Sequence, residues 1–206
     1  ELHDKGLLQA ATSTEMTAAI PAQYRASDDT WYALTTRVRN IYSAKRLGKI
    51  DFNYEDLADK KWQGKICTRS GKHPYNVALC DVSLGNSYYF GNMLKDEQQK
   101  VWADAVYINF PNQNNRGAHV NISGMAMAKY APNQGNALAL MNFLVSESAQ
   151  KMYAETNMEY PVRPGVEPSQ LVKSWGQFKA DNLSLETIAK QRKAALILLD
   201  KAQFDL

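Results

Sequence analysis

Tyrosine is the unusual residue of this chain, with eleven copies in 206 residues. Two of them are adjacent, in Gly85-Asn86-Ser87-Tyr88-Tyr89-Phe90-Gly91-Asn92. Neighbouring side chains on a strand point to opposite faces. In a loop, or at a helix start, both phenol hydroxyls can instead converge on one site, and the bracketing Gly85 and Gly91 favour a loop. Taken alone, such a pair is more often packing than function. A third tyrosine, Tyr32, follows Trp31 and precedes Thr35-Thr36-Arg37-Val38-Arg39.

Other chemistry finds little support. The sequence holds no G-x-S-x-G, no G-x-x-x-x-G-K-[ST] and no G-x-G-x-x-G. The carboxylate pairs Asp28-Asp29 and Glu55-Asp56 lie in polar turn or helix-start contexts and read as solvated surface. His3, His73 and His119 are isolated. Cys67 and Cys80 fit no C-x-x-C pattern, which leaves one disulfide in an oxidising compartment or two buried thiols. With 24 Lys+Arg against 21 Asp+Glu the net charge is +3, and no basic tail or nucleic-acid motif accompanies it. No apolar run of membrane-spanning length is present.

The elements that must position these residues alternate between strands and helices, which defines an α/β class with a mixed sheet. Residues 31–42 read as a strand, rich in aromatic and β-branched types. Further strands are expected at 65–68, 106–110 and 117–127. Helices are expected at 54–59, 74–84, 90–105, 133–156 (a second helix starting at the Ser146 cap) and 185–202. Glu1 to Ala11 reads as the tail of a helix, with the chain beginning inside a larger protein.

Six fragments, in order, give the pattern an identity: I-P-A-Q-Y-R-A-S-D-D-T-W-Y-A-L-T-T-R-V-R, W-Q-G-K-I-C-T-R-S, G-N-S-Y-Y, G-A-H-V-N-I-S-G, F-L-V-S-E-S-A-Q and N-M-E-Y-P-V. Along essentially its whole length the chain resembles the periplasmic ferric-iron-binding proteins of ABC transporters, the FbpA/FutA type of solute-binding protein. The resemblance implies a type II periplasmic-binding-protein (transferrin-like) α/β fold of two lobes, here mostly the C-terminal lobe with part of the N-terminal lobe. It divides the chain into residues 1–115 and 167–206 in the C-terminal lobe, and 116–166 as a return into the N-terminal lobe. Val120, Ile122, Leu140 and Leu144 would then present apolar surface.

By the same resemblance Tyr32, Tyr88 and Tyr89 are the Fe(III) ligands. The chemistry agrees. Fe(III) is a hard cation that favours anionic oxygen. A free phenol, with a pKa near ~10, is neutral at pH 7, and a trivalent neighbour drives it to phenolate. Three phenolates would formally cancel the charge of the ion. Arg37 or Arg39 could stabilise a phenolate. Tyr32 has the opposite strand parity to both, so a turn or bulge between them is needed. Asn86 resembles a position that in some relatives binds a synergistic anion such as carbonate or phosphate. Some relatives also carry a basic residue where this chain has Asn92.

The resulting expectation is a non-enzymatic, periplasmic, monomeric Fe(III)-binding subunit that delivers ferric ion to an ABC permease in the inner membrane, with no nucleic-acid partner. The competing expectation keeps the fold and changes the ligand to a small organic ion: a polyamine, a thiamine-like cation or an organic anion. Trp31, Tyr88 and Tyr89 would then form a stacking box.

Overall fold

The computed structural model describes residues 2–68 and 80–203. Its strands are β1 (Leu8–Gln9), β2 (Trp31–Ala44), β3 (Ile66–Thr68), β4 (Val82–Asn86), β5 (Val106–Asn109), β6 (Val120–Ala128) and β7 (Tyr160–Pro161). Its helices are α1 (Thr14–Ala19), α2 (Ser87–Lys95), α3 (Lys100–Asp104), α4 (Gln134–Leu144), α5 (Glu147–Asn157), α6 (Gln170–Lys173), α7 (Leu185–Lys190) and α8 (Arg192–Lys201). The expected mixed α/β architecture is found.

The organising element is β2, fourteen residues long and buried along almost all of its length. Aromatic and β-branched residues suit a strand covered on both faces. Its first half pairs antiparallel with β6, from Trp31↔Ala126 to Val38↔Val120, and with β7 at Thr35 and Thr36. Its second half pairs antiparallel with β4 and β5. β1 adds to β6, and β3 runs parallel to β4. One strand therefore belongs to two halves, and the chain changes half between Val38 and Arg39.

Each half has its own core. Tyr32, Ala33 and Leu34 pack with Met16, Ile20, Met127, Met141 and Val145 in the first. In the second, Ile41 packs on Phe52, Trp62 and Val82, while Tyr42 faces Phe90, Met93 and Val106. At the junction Val38, Ala118 and Val120 sit under Phe110, Tyr160, Phe178 and Ala180.

This arrangement differs from the expected division. Residues up to 38 pair with 120–161 rather than with 39–115, because the register of β2 with β6 covers its first half. Residues 2–6 form turns, followed by β1, in place of a helix tail. Of the helix expected at 74–84, residues 74–79 lie outside the described residues. Val82 to Leu84 form part of β4, buried against β2, since tertiary pairing overrides local propensity. The helix expected over 90–105 is divided into α2 and α3, with Asp96 ending the first and bonding the amides of Gln98 and Gln99. Ser146 caps α5 as expected, accepting from the Ala149 amide at 3.3 Å. Leu140 is exposed as expected, joined by Phe143, whereas Val120 is covered at the junction.

Candidate metal centre

β4 runs directly into α2, with Asn86 as the residue between them. Tyr88 and Tyr89 therefore occupy the first turn of a helix rather than a loop. Their rings lie 4.4 Å apart between centroids, tilted by 60°, and both side chains are half-buried. Asn86 makes no side-chain cap bond to the helix. Its amide nitrogen instead reaches the Tyr88 hydroxyl at 3.5 Å. Its carbonyl accepts from Tyr42 Oη at 2.8 Å, which fixes the backbone at the entry to the helix.

The pair sits where β2 changes halves. The Val38 amide donates to Ser87 Oγ at 3.2 Å, and Arg39 lies opposite Asn86 in the β2–β4 register. Open α/β folds place ligands at such topological switch points. Burial raises the Tyr88 phenol above its ordinary range, and the Tyr89 hydroxyl beside it acts in the same direction. The Asn86 amide and the Arg37 guanidinium oppose that rise. Arg39, opposite Asn86, bears on Tyr42, Tyr54 and His119; among the described residues its guanidinium forms no ion pair.

Arg37 is held by groups that no short motif reveals. Its Nη1 donates to Ser123 Oγ at 2.7 Å and lies 3.6 Å from Glu159 Oε1. Ser123 Oγ and Thr35 Oγ1 both donate to the same Glu159 carboxylate. Glu159 is 6% exposed. The only sequence signal for it is its position within N-M-E-Y-P-V.

Tyr32 is placed elsewhere. The bulge that parity demanded does exist, as a register shift between Ala33 and Thr35. Tyr32 nevertheless points into the first-half core and is fully buried. Burial and the nearby Asp29 carboxylate push its phenol up to about 12, while its hydroxyl lacks a well-formed hydrogen bond. Seven residues of strand separate Tyr32 from Arg39, which faces Asn86; at about 3.3 Å per residue that is roughly 20 Å. Trp31, at the same end of β2, lines a groove with Leu8, Ile122 and Leu185, so the stacking box is not assembled. His73 lies outside the described residues. Among the described residues, no three His, Cys, Asp or Glu side chains cluster as a metal site.

Two α/β halves sharing one long strand, with a polar site at the changeover, define a solute-binding architecture. A family profile described as bacterial extracellular solute-binding protein matches residues 81–180. Iron uptake protein A1 of Synechocystis is 32% identical, over 97% of this chain and 68% of its own length. The apo ferric ion-binding protein A of Pasteurella haemolytica superimposes with a TM-score of 0.91 at 43% identity, over all of this chain and 79% of that one. Trichodesmium FutA, solved with iron and citrate, superimposes at 0.87 with 32% identity, over 97% and 78%. The chain belongs to this family of bacterial extracellular solute-binding proteins, with its type II periplasmic-binding-protein fold. The match to iron uptake protein A1 extends over 248 aligned positions, more than the 206 residues here. The relative thus carries residues inside the matched stretch that have no counterpart in this chain.

Proposed function

We propose that this chain captures ferric ion outside the cytoplasm as the solute-binding subunit of an ABC importer and delivers it to a membrane permease without catalysing a reaction. The observation that carries the reading is the Tyr88–Tyr89 pair, half-buried at the N-terminal turn of α2 and at the changeover between halves. The helix terminus favours the negative charge that phenolates acquire, and Arg37 adds to that field. Two phenolates leave one positive charge of Fe(III) uncompensated. A small oxyanion such as carbonate or phosphate, held by Asn86 and by Arg39, would supply the balance; the Trichodesmium relative was solved with citrate beside its iron. Tyr32 belongs to the core in this reading.

A periplasmic location is supported by the pairing of Cys67 with Cys80, since disulfides persist mainly in oxidising compartments. No described helix is long and apolar enough to cross a membrane. The near-neutral charge gives no reason to invoke nucleic acid, and a monomer is sufficient, since the site is formed by one chain.

Ferric titration followed by visible absorption tests the proposal. A phenolate-to-iron charge-transfer band should appear and should disappear in Tyr88→Phe and Tyr89→Phe. Binding releases phenol protons, so affinity should fall as pH drops. A band that survives both substitutions overturns the assignment to the pair, and a chain that takes up no iron overturns the function. Tyr32→Phe should keep the band.

A further inference from the structure

We infer that Glu159 is a positioning residue for the ferric site, its buried carboxylate fixing Arg37 on the stretch of β2 that bonds the first turn of the tyrosine helix. The inference rests on the ferric reading above and extends it to a residue that touches neither ion nor phenol.

Three strands bring the parts together. Thr35 and Ser123 are direct partners in the β2–β6 register. β7 pairs with β2 at Thr35 and Thr36, so Glu159, immediately before β7, arrives at the same place from the other side. Arg37 is two residues beyond Thr35, on the same strand. A carboxylate this deeply buried is costly unless paired and hydrogen-bonded. Glu159 satisfies that demand with two hydroxyl donors and one guanidinium. In return, Arg37 is held by Ser123 and Glu159, and the next residue along β2, Val38, bonds the hydroxyl of Ser87, which directly precedes Tyr88, at 3.2 Å.

The segment carrying Glu159 also touches the tyrosine helix. Met158 adopts the left-handed conformation at the end of α5. Its side chain lies against Gly91, where even a Cβ would come within 2.7 Å of Met158 Cγ. The same turn thus packs on α2 and orients the residue that holds Arg37. Electrostatics supply the reason for the arrangement. A free guanidinium close to Fe(III) repels it, whereas one paired with a carboxylate forms a neutral couple that can still polarise nearby phenols. Partners behind ligating groups commonly change metal affinity by about 10–100-fold when removed.

The test compares Glu159→Gln, Arg37→Gln and the double variant in the full chain, reading ferric affinity, charge-transfer band position and thermal midpoint together. Glu159→Gln keeps the shape and removes the charge. It should weaken ferric binding about tenfold and move the band, and Glu159→Asp should recover part of both. The double variant should be no worse than Arg37→Gln alone, because both changes act through one guanidinium. Should Glu159→Gln fail to fold, Ser123→Ala withdraws one partner from both residues and should shift affinity and band in the same direction, by less. Native affinity and band in the variants, or a lowered midpoint with no change in either, overturns the inference. If the Tyr88 and Tyr89 substitutions abolish the band while Glu159→Gln leaves it unchanged, the inference alone falls. If those substitutions leave the band intact, the ferric assignment falls and takes the inference with it.

Discussion

The Tyr54 hydroxyl donates to the Arg39 carbonyl at 2.6 Å, and through that bond it occupies a rung of the crossing between the halves. The same oxygen accepts from the His119 amide at 3.0 Å, while Arg39 N and His119 O bond directly at 3.0 Å. One of the two bonds expected between opposed antiparallel residues is thus relayed through a side chain. Tyr54→Phe removes the relay and leaves a donor and an acceptor unpaired in a half-buried place. The expected loss is about 1–3 kcal/mol, measured by urea denaturation. A loss within about 0.5 kcal/mol, the range of an indifferent surface change, would mean that the two strands close up unaided.

The second crossing depends on a glycine. Gly117 has φ +97°, and a Cβ there would stand 2.7 Å from the backbone of Lys179 and Ala180. Its amide bonds Asn112 O, and the next residue pairs with Ala180 through the Ala118 bridge. Backbone cannot yield as a flexible side chain does. Gly117→Ala should therefore cost roughly 3 kcal/mol or more, from strain and overlap together. Gly165, with φ +82° and open space around it, serves as the comparison. Gly165→Ala should cost clearly less, and equal losses would remove overlap from the explanation.

The positions of these features explain how much was legible beforehand. β2 could be read from its aromatic and β-branched run because the signal is local. So could the tyrosine pair and the Ser146 cap. The changeover inside β2 could not, because nothing between Val38 and Arg39 marks it; only the registers with β6 and β4 do. Tyr32 was legible as a tyrosine in a family-like context. Its burial under Met16 and Met141 comes from helices distant in sequence. Glu159 was hidden for the same reason, since Thr35, Arg37 and Ser123 become its neighbours only when three strands meet.

Glu55 gives the fold an acid-sensitive tie. Asn112 Nδ2 donates to it at 3.0 Å, and Arg116 Nη1 lies 2.6 Å from its other oxygen. The Asn112 amide, its own backbone amide and Arg116 together lower the carboxyl from 4.5 to about 2. A lowered carboxyl stabilises the fold fully above its unfolded value, and that contribution is lost as pH falls from 4.5 toward 2. The group is exposed, so the effect is small and is screened by salt. The thermal midpoint of the native chain should fall more steeply across this interval than that of Glu55→Gln, with the two converging at the acid end. Parallel curves would show that the tie contributes nothing.

Cys67 and Cys80 are joined, with their Cα atoms 5.9 Å apart and thirteen positions apart in sequence. Cys67 is the central residue of β3, and Cys80 lies two residues before β4. The bridge thus secures the short parallel pairing of Ile66, Cys67 and Thr68 with Val82, Ser83 and Leu84. Closing a loop of this size removes about 3 kcal/mol of unfolded-chain entropy. Reduction, or Cys67→Ser with Cys80→Ser, should therefore lower stability by about that amount in urea. The ferric band should behave differently. β4 is held on its other side by five residue pairs with β2, from Arg39↔Asn86 to Ser43↔Val82. The strand that delivers Tyr88 and Tyr89 thus keeps its place when β3 loosens. Reduced protein, assayed below its lowered midpoint, should bind ferric ion with unchanged affinity. Loss of binding on reduction, while the fold persists by circular dichroism, would show that β4 takes its position from β3 rather than from β2.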